Sequence, residues 1–231
     1  TAESSSLSAC TAAAADCSFN GAVSRANSAA GADLITFNIP MSESGCTLAT
    51  GVCRIQFTAA PLTLLDATTI DGYTQPGATP NTLTPDQGGS NAQIKIELRG
   101  CPGCANGIVL SAPSTVRGLA VGGFVSTSGI SFDSNASNGS VVEGNFVGTD
   151  ASGLVAVPNA NGVSANGNPF GGAQPQNVRI GGSLPAQRNL ISGNSNHGIE
   201  GNGTGMQIFG NLIGTDATGL VALPNQQMGV F

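Results

Sequence analysis

The sixteen residues GNFVGTDASGLVAVPN, Gly144 to Asn159, recur sixty-six residues later as GNLIGTDATGLVALPN, Gly210 to Asn225. Twelve of the sixteen positions are identical. The four exchanges (Phe146/Leu212, Val147/Ile213, Ser152/Thr218 and Val157/Leu223) each keep polarity and approximate size. A catalytic residue has no reason to recur with its entire surrounding turn, so the doubled stretch reads as scaffold. Asp150 and Asp216 each precede a glycine by three positions, a local turn in which a carboxylate caps backbone N–H groups.

A wider period runs through the same region. GIVL, GISF, GVSA, GIEG and GVF begin at Gly107, Gly129, Gly162, Gly198 and Gly229, with spacings of 22, 33, 36 and 31 residues. Between these starts lie short apolar runs broken by Gly or Asn turns. Twenty-two residues is about the circumference of a three-sided β coil, and longer periods accommodate the GTDASGLVAVPN type of segment as a protruding loop. A propeller blade needs about 40 residues, and the Leu and Asn spacing of leucine-rich repeats is missing. The pattern predicts an all-β fold, a right-handed parallel β-helix (solenoid) that buries Val, Ile and Leu. Of the 20 Asn, 14 lie from residue 131 onward, and equivalent Asn stacked between coils would form side-chain hydrogen-bond ladders.

The first third differs. Phe19, Val23 and Ala26 are spaced as on a helix, predicting a short capping helix from Phe19 to Ala30 that Gly31 breaks before the strand-like LITFNI. Residues 1–60 are expected to form this cap with the first strands, pinned by disulfides, and residues 61–231 the coils of one continuous domain. The six cysteines fall as close pairs, predicting bridges Cys10–Cys17, Cys46–Cys53 and Cys101–Cys104 and hence an oxidising compartment. The rival for CPGC, a redox or zinc motif, lacks a second CxxC, a nearby His and a βαβ pattern. Because the sequence starts at Thr1-Ala2 rather than Met, it is expected to be a mature secreted, extracellular or cell-surface protein.

Charge excludes several partners. The net charge is −6, and the seven basic residues (Arg25, Arg54, Lys95, Arg99, Arg117, Arg179, Arg188) are scattered along the chain without a cluster. Nucleic acid and anionic membranes are therefore not expected partners. No apolar run approaches the roughly 20 residues of a membrane-spanning helix, so no membrane insertion is expected.

GADLITFNIP, TIDGYTQPGA, GNFVGTDASG, IGGSLPAQRNLISGN and HGIEG together resemble the secreted bacterial parallel β-helix proteins that open with a CSLREA-type segment and share the pectate-lyase-like solenoid. The N-terminal signature departs from the family's pattern: Cys17-Ser18-Phe19-Asn20-Gly21-Ala22 lacks its Arg and Glu. The resemblance implies the fold over nearly the whole chain. It leaves function between surface or adhesin-like modules and polysaccharide-cleaving enzymes, because fold does not decide activity.

A lyase would need acidic calcium ligands and a basic residue, and a glycoside hydrolase two carboxylates about 5 to 10 Å apart. The available acids are Asp133, Glu143, Asp150, Glu200 and Asp216, and the bases Arg117, Arg179 and Arg188. Asp133, Glu200 and Arg179 would be the catalytic set of a polysaccharide lyase or glycoside hydrolase. Glu143 matches Phe209 in the second copy, which argues for an outward position. There is no Trp to stack on a sugar ring, and the one Tyr, Tyr73, lies in a turn-like DGYTQPG. His197, the only His, sits in a polar turn with no partner ligand in sequence reach. No metal and no cofactor is expected.

These readings favour a structural or adhesive surface protein over an enzyme, with surface polysaccharide as a further candidate partner. Asn135, Asn138 and Asn202 open glycosylation sequons. Gly229-Val230-Phe231 starts a further coil, so either the chain continues in a longer protein or that coil is completed by another copy, end to end, as in a filament.

Overall fold

The computed structural model describes residues 17–58, 61–133, 135–166 and 173–231. Strands of two to five residues dominate, and they form three sheets in which every pairing between successive strands is parallel except one short hairpin. The first sheet holds Asp33–Thr36, Thr68–Asp71, Thr115–Arg117, Val141–Glu143, Arg179–Gly181 and Gln207–Phe209. The second holds Val52–Gln56, Ile96–Arg99, Leu119–Gly122, Phe146–Val147, Leu190–Ile191 and Leu212–Ile213, with Cys46–Thr47 folded back antiparallel on its first strand. The third holds Leu62–Leu64, Ile108–Leu110, Ile130–Phe132, Val163–Ala165 and Ile199–Gly201. Along the chain the strands visit the first, second and third sheets in rotation, and each return pairs in register with the strand of the previous round.

The glycine period is visible in this register. Gly107, Gly129, Gly162, Gly198 and Gly229 stack, because the residue after each of the first four donates its N–H to the carbonyl of the next glycine: Ile108 to Gly129, Ile130 to Gly162, Val163 to Gly198 and Ile199 to Gly229. A side chain at Gly162 would meet the Gly198 carbonyl at 2.5 Å, so the period needs glycine where backbones come this close.

One apolar core is shared by all three sheets. Ile70, Val116, Val142 and Ile180 enter it from the first sheet, Ile55, Leu98, Val121 and Ile191 from the second, and Leu64, Ile108, Ile130 and Val163 from the third. Each of these side chains is at most 2 % exposed. At roughly 25 cal/mol per Å² of apolar surface, such burial is the main term opposing the entropy of ordering a glycine-rich chain.

Two asparagine ladders run beside this core. Asn145 donates to Asn189 Oδ1 at 3.3 Å, and Asn189 donates to Asn211 Oδ1 at 2.9 Å. Asn159 donates to Asn194 Oδ1 at 3.0 Å, and Asn194 donates to Asn225 Oδ1 at 2.8 Å. Both ladders also satisfy backbone groups at the sheet corners, as when Asn145 takes Leu119 N–H and donates to the Val116 carbonyl. An amide suits the position because it accepts and donates at once.

The predicted helix is present but shorter, Phe19–Ala26. Ser18 caps it by accepting from Gly21 N–H at 3.0 Å, and Phe19 packs on Phe37. It ends before Ala30 because the backbone tightens into shorter turns, Ser28 N–H donating to Arg25 O and Ala29 N–H to Ala26 O; the Asn27 side chain at this end donates to Thr63 O and accepts from Leu65 N–H, both at 2.8 Å. The helix is thereby tied to the first strand of the third sheet. The bridges Cys46–Cys53 and Cys101–Cys104 are formed. Cys10 lies outside the described residues, so its bridge to Cys17 does too. Such local bridges fit an oxidising environment, and among the described residues no helix is long and apolar enough to cross a membrane.

Candidate functional site

Side chains on the outward face of the second sheet form a single column across six strands: Arg54, Glu97, Ala120, Phe146, Leu190 and Leu212. Four of these are apolar, which an outward face tolerates only if something covers it. The doubled motif supplies part of the cover. In each copy the first residue of the apolar pair, Phe146 or Leu212, joins the outward column, while the second, Val147 or Ile213, sits in the register that faces the shared core. The loop that follows folds back so that Ala151 and Ala217 rest on the column. Residues 72–95 complete the cover as a long strap: Tyr73, Ala92 and Ile94 pack on the same cluster, and Ser90 N–H reaches the Ala217 carbonyl at 2.7 Å.

Each repeat loop is held closed by its aspartate, as the turn chemistry predicts. Asp150 Oδ1 accepts from Ser152 Oγ at 2.7 Å, and Asp216 Oδ1 from Thr218 Oγ1 at 2.6 Å and Thr218 N–H at 3.0 Å. The Thr218 hydroxyl is the chief reason the Asp216 carboxyl lies below the usual range. The two loops also touch one another, Ala217 N–H donating to the Gly153 carbonyl at 2.9 Å.

Toward the N-terminal strands the cover stops and the outward face opens into a groove of about 640 Å³ with a mixed polar and apolar lining, bounded by the Thr47–Val52 hairpin, the strand around Lys95 to Arg99, and the Asp150–Val157 loop. A shallower depression of about 460 Å³ continues past Arg54 to Ser44 and Gln56. At the floor, Glu97 is 4 % exposed and held from both sides, by Arg54 Nε at 2.7 Å and Arg99 Nη2 at 2.8 Å, with Ala151 N–H at 3.3 Å. A carboxylate clamped by two guanidinium groups is a pivot that fixes their directions.

Scattered in sequence, three of the seven basic residues thus converge here: Arg54, Lys95 and Arg99. The signal for part of this was present in Lys95-Ile96-Glu97-Leu98-Arg99, where charge alternates with apolar residues at the period of a strand and so places three charges on one face. Arg54 joins them only through the register of the second sheet.

The catalytic set anticipated from sequence is not assembled. Arg179 lies on the first sheet, where it pairs with Glu143 at 2.8 Å and also donates to the Gly181 carbonyl. Asp133 directly follows the third sheet's strand Ile130–Phe132 and Glu200 lies in its strand Ile199–Gly201, with the strand Val163–Ala165 between the two. Asp133 accepts from Ser111 Oγ at 2.9 Å, and Glu200 from Asn161 Nδ2 at 2.7 Å. Glu143 is outward as expected and shares its column with Arg117, but Arg179 shields it from solvent. Tyr73 lies in a short 3-10 turn, Gly72–Thr74, and donates its hydroxyl to the Gly144 carbonyl at 2.6 Å; burial, the largest cause, and the Asp71 carboxylate push its pKa up.

His197 stacks on the Phe231 ring at 4.7 Å, and its Nδ1 accepts from Met228 N–H. Among the described residues no group of three His, Cys, Asp or Glu is placed to hold a metal ion. Of the sequon residues, Asn135 and Asn202 are exposed, whereas Asn138 is half-buried and accepts from Gln176 N–H. Compared with protein families, characterised proteins and solved structures, the chain matches none.

Proposed function

We propose that the chain is a right-handed parallel β-helix that serves as a secreted structural or adhesive surface element, able to stack end to end with further copies. Right-handedness follows from the strong bias of parallel strand crossovers toward that hand. The observation that supports stacking is the last round of strands. Gln207–Phe209, Leu212–Ile213 and the segment at Val230 each pair on one side only among the described residues. Val230 is 50 % and Phe231 61 % exposed, and the two amide ladders reach Asn211 and Asn225 there. Such an edge offers unpaired backbone groups and a part-finished ladder to another strand of the same kind, from a further coil of a longer chain or from a second copy.

Gly229, Val230 and Phe231 would form the contact, with the N-terminal end of a second copy as partner. Because the two faces are different surfaces, the contact is heterologous and propagates into a filament. Analytical ultracentrifugation and electron microscopy of the purified protein test this reading. Concentration-dependent rods that Val230→Lys disperses are the expected result; uniform single particles at every concentration would refute self-assembly.

A further inference from the structure

We propose that the free edge of the strand Asp33–Thr36 takes up an extended basic peptide as an added strand. The proposal goes beyond the stacking reading and does not rest on it. One strand opens each of the three sheets at the N-terminal end, and two of these three edges are closed. Cys46–Thr47 pairs along Val52–Cys53 in the second sheet. In the third, the Asn27 side chain stands in for a strand beside Leu62–Leu64, meeting Thr63 O and Leu65 N–H. In the first, Asp33–Thr36 has a neighbour on one side only among the described residues, Thr68–Asp71.

The open side presents backbone. Asp33 N–H donates to Ala67 O at 2.8 Å, and bonding in a parallel ladder alternates along the strand, so Leu34 and Thr36 turn their N–H and C=O groups away from the sheet. None of these four groups has a hydrogen-bond partner among the described residues. Leu34 is also 63 % exposed. An unpaired edge with an exposed apolar side chain suits strand addition, in which the main chain gives affinity and alternate side chains give specificity.

Asp33 sets the chemistry of that strand. It heads a column continued by Thr68, Ser114 and Ser140. Down this column a side-chain oxygen receives the N–H of the preceding round, Ser114 Oγ from Thr68 at 3.2 Å and Ser140 Oγ from Ser114 at 2.9 Å. Among the described residues no round precedes Asp33, and its Oδ2 is shielded without a partner. Nor has it a countercharge: the ion pairs among the described residues use Arg54, Arg99, Arg117 and Arg179, and none includes Asp33 or the nearby Asp66. A Lys or Arg opposite Asp33 supplies what is missing. A second copy would bring Gln207–Phe209, the last strand of this sheet, which has no charged residue.

Fluorescence polarisation with three labelled peptides tests the proposal: Ser-Lys-Val-Ala-Val-Ser, the same peptide with Glu for Lys, and the Lys peptide fully N-methylated. The Lys peptide is expected to bind, and the Glu peptide at least about tenfold less tightly. The N-methylated peptide should lose at least about tenfold through its missing backbone hydrogen bonds. Asp33→Asn should weaken the Lys peptide about fivefold, while Asp86→Asn in the strap leaves it unchanged. Thermal unfolding of each variant separates lost binding from lost folding. Equal binding of the Glu or N-methylated peptide, no binding of the Lys peptide by the folded protein, or a folded Asp33→Asn that binds normally would each overturn the assignment. The titration starts from monomers verified by sedimentation, so its failure is distinct from failure of filament formation. A bound fraction that falls as the protein is concentrated would give the edge to a second copy and overturn the assignment too.

Discussion

Asn194 is a sensitive place to test the ladder argument. It is fully buried, accepts from Asn159 Nδ2 at 3.0 Å, and donates to Asn225 Oδ1 at 2.8 Å and Val147 O at 3.3 Å. Replacement by Ala removes both rungs and takes from the buried Asn159 backbone N–H its acceptor, Asn194 Oδ1 at 3.4 Å, while the neighbouring side chains keep partners. Asn159 Nδ2 keeps the Val121 carbonyl, and Asn225 Oδ1 keeps the backbone N–H of residue 194. Two net hydrogen bonds at about 1 kcal/mol each, with about 1 kcal/mol more for the stranded Asn159 N–H, give a cost of about 3 kcal/mol. Asn194→Asp preserves shape yet should be worse at neutral pH. Its second oxygen would face three acceptors, Asn225 Oδ1, Val147 O and Ser192 O, with no proton to offer.

An uncompensated buried charge of this kind costs about 4 kcal/mol. The sign of the pH dependence follows. Burial raises the folded-state pKa of the new carboxyl above its unfolded value of about 3.9. Protonation therefore relieves the penalty as pH falls through the folded pKa, when the carboxyl regains a donor for Asn225. Urea unfolding followed by circular dichroism at about pH 7 and about pH 4 should show Asp less stable than Ala at the higher pH and the order reversed at the lower. An Asp variant as stable as Ala at neutral pH, or a difference that ignores pH, would refute the view that the ladder requires an amide at each rung.

Tyr73 is the only tyrosine and there is no Trp, so ultraviolet absorbance reports its ionisation alone. Its folded pKa is raised, so the stability linked to it is fully present below the unfolded value of about 10 and is lost as pH rises above that. The native protein should remain un-ionised where the urea-unfolded chain titrates, and coincident curves would contradict the buried hydroxyl. Gly153 has φ +70°, and an added Cβ would lie 2.6 Å from the Ala217 Cβ, so Gly153→Ala should cost about 2 kcal/mol; chemical denaturation that finds it neutral would show that the two repeat loops do not bear on each other. Glu97→Ala leaves Arg99 without its carboxylate in a shielded place and should destabilise by about 3 kcal/mol, more than Arg54→Ala, whose charge is half in water; differential scanning calorimetry on the two variants gives the order.

How far the sequence alone reaches can be seen by comparing particular residues. Gly107, Gly129, Gly162, Gly198 and Gly229 announce the stacking of strands, because backbone contacts at that distance exclude any side chain and leave a residue type that can be read directly. The Asn-rich turns likewise announce ladders, and close cysteine pairs announce local bridges, since both interactions are set by short-range geometry. The faces of the second sheet were not legible in this way. Phe146-Val147, Leu190-Ile191 and Leu212-Ile213 are adjacent apolar pairs pointing to opposite sides, so alternation carries no signal of inside and outside.

Only the tertiary arrangement decides that Phe146, Leu190 and Leu212 face outward beneath the strap and the repeat loops, and that this cover ends before Glu97. The same arrangement separates Arg179 from Asp133 and Glu200 and brings Arg54 beside Lys95 and Arg99. Neighbours across a parallel sheet are a whole round of chain apart, 43 residues in the pairing of Arg54 with Glu97. The lengths of the intervening loops set that register, and no local propensity encodes which distant strand a loop will deliver.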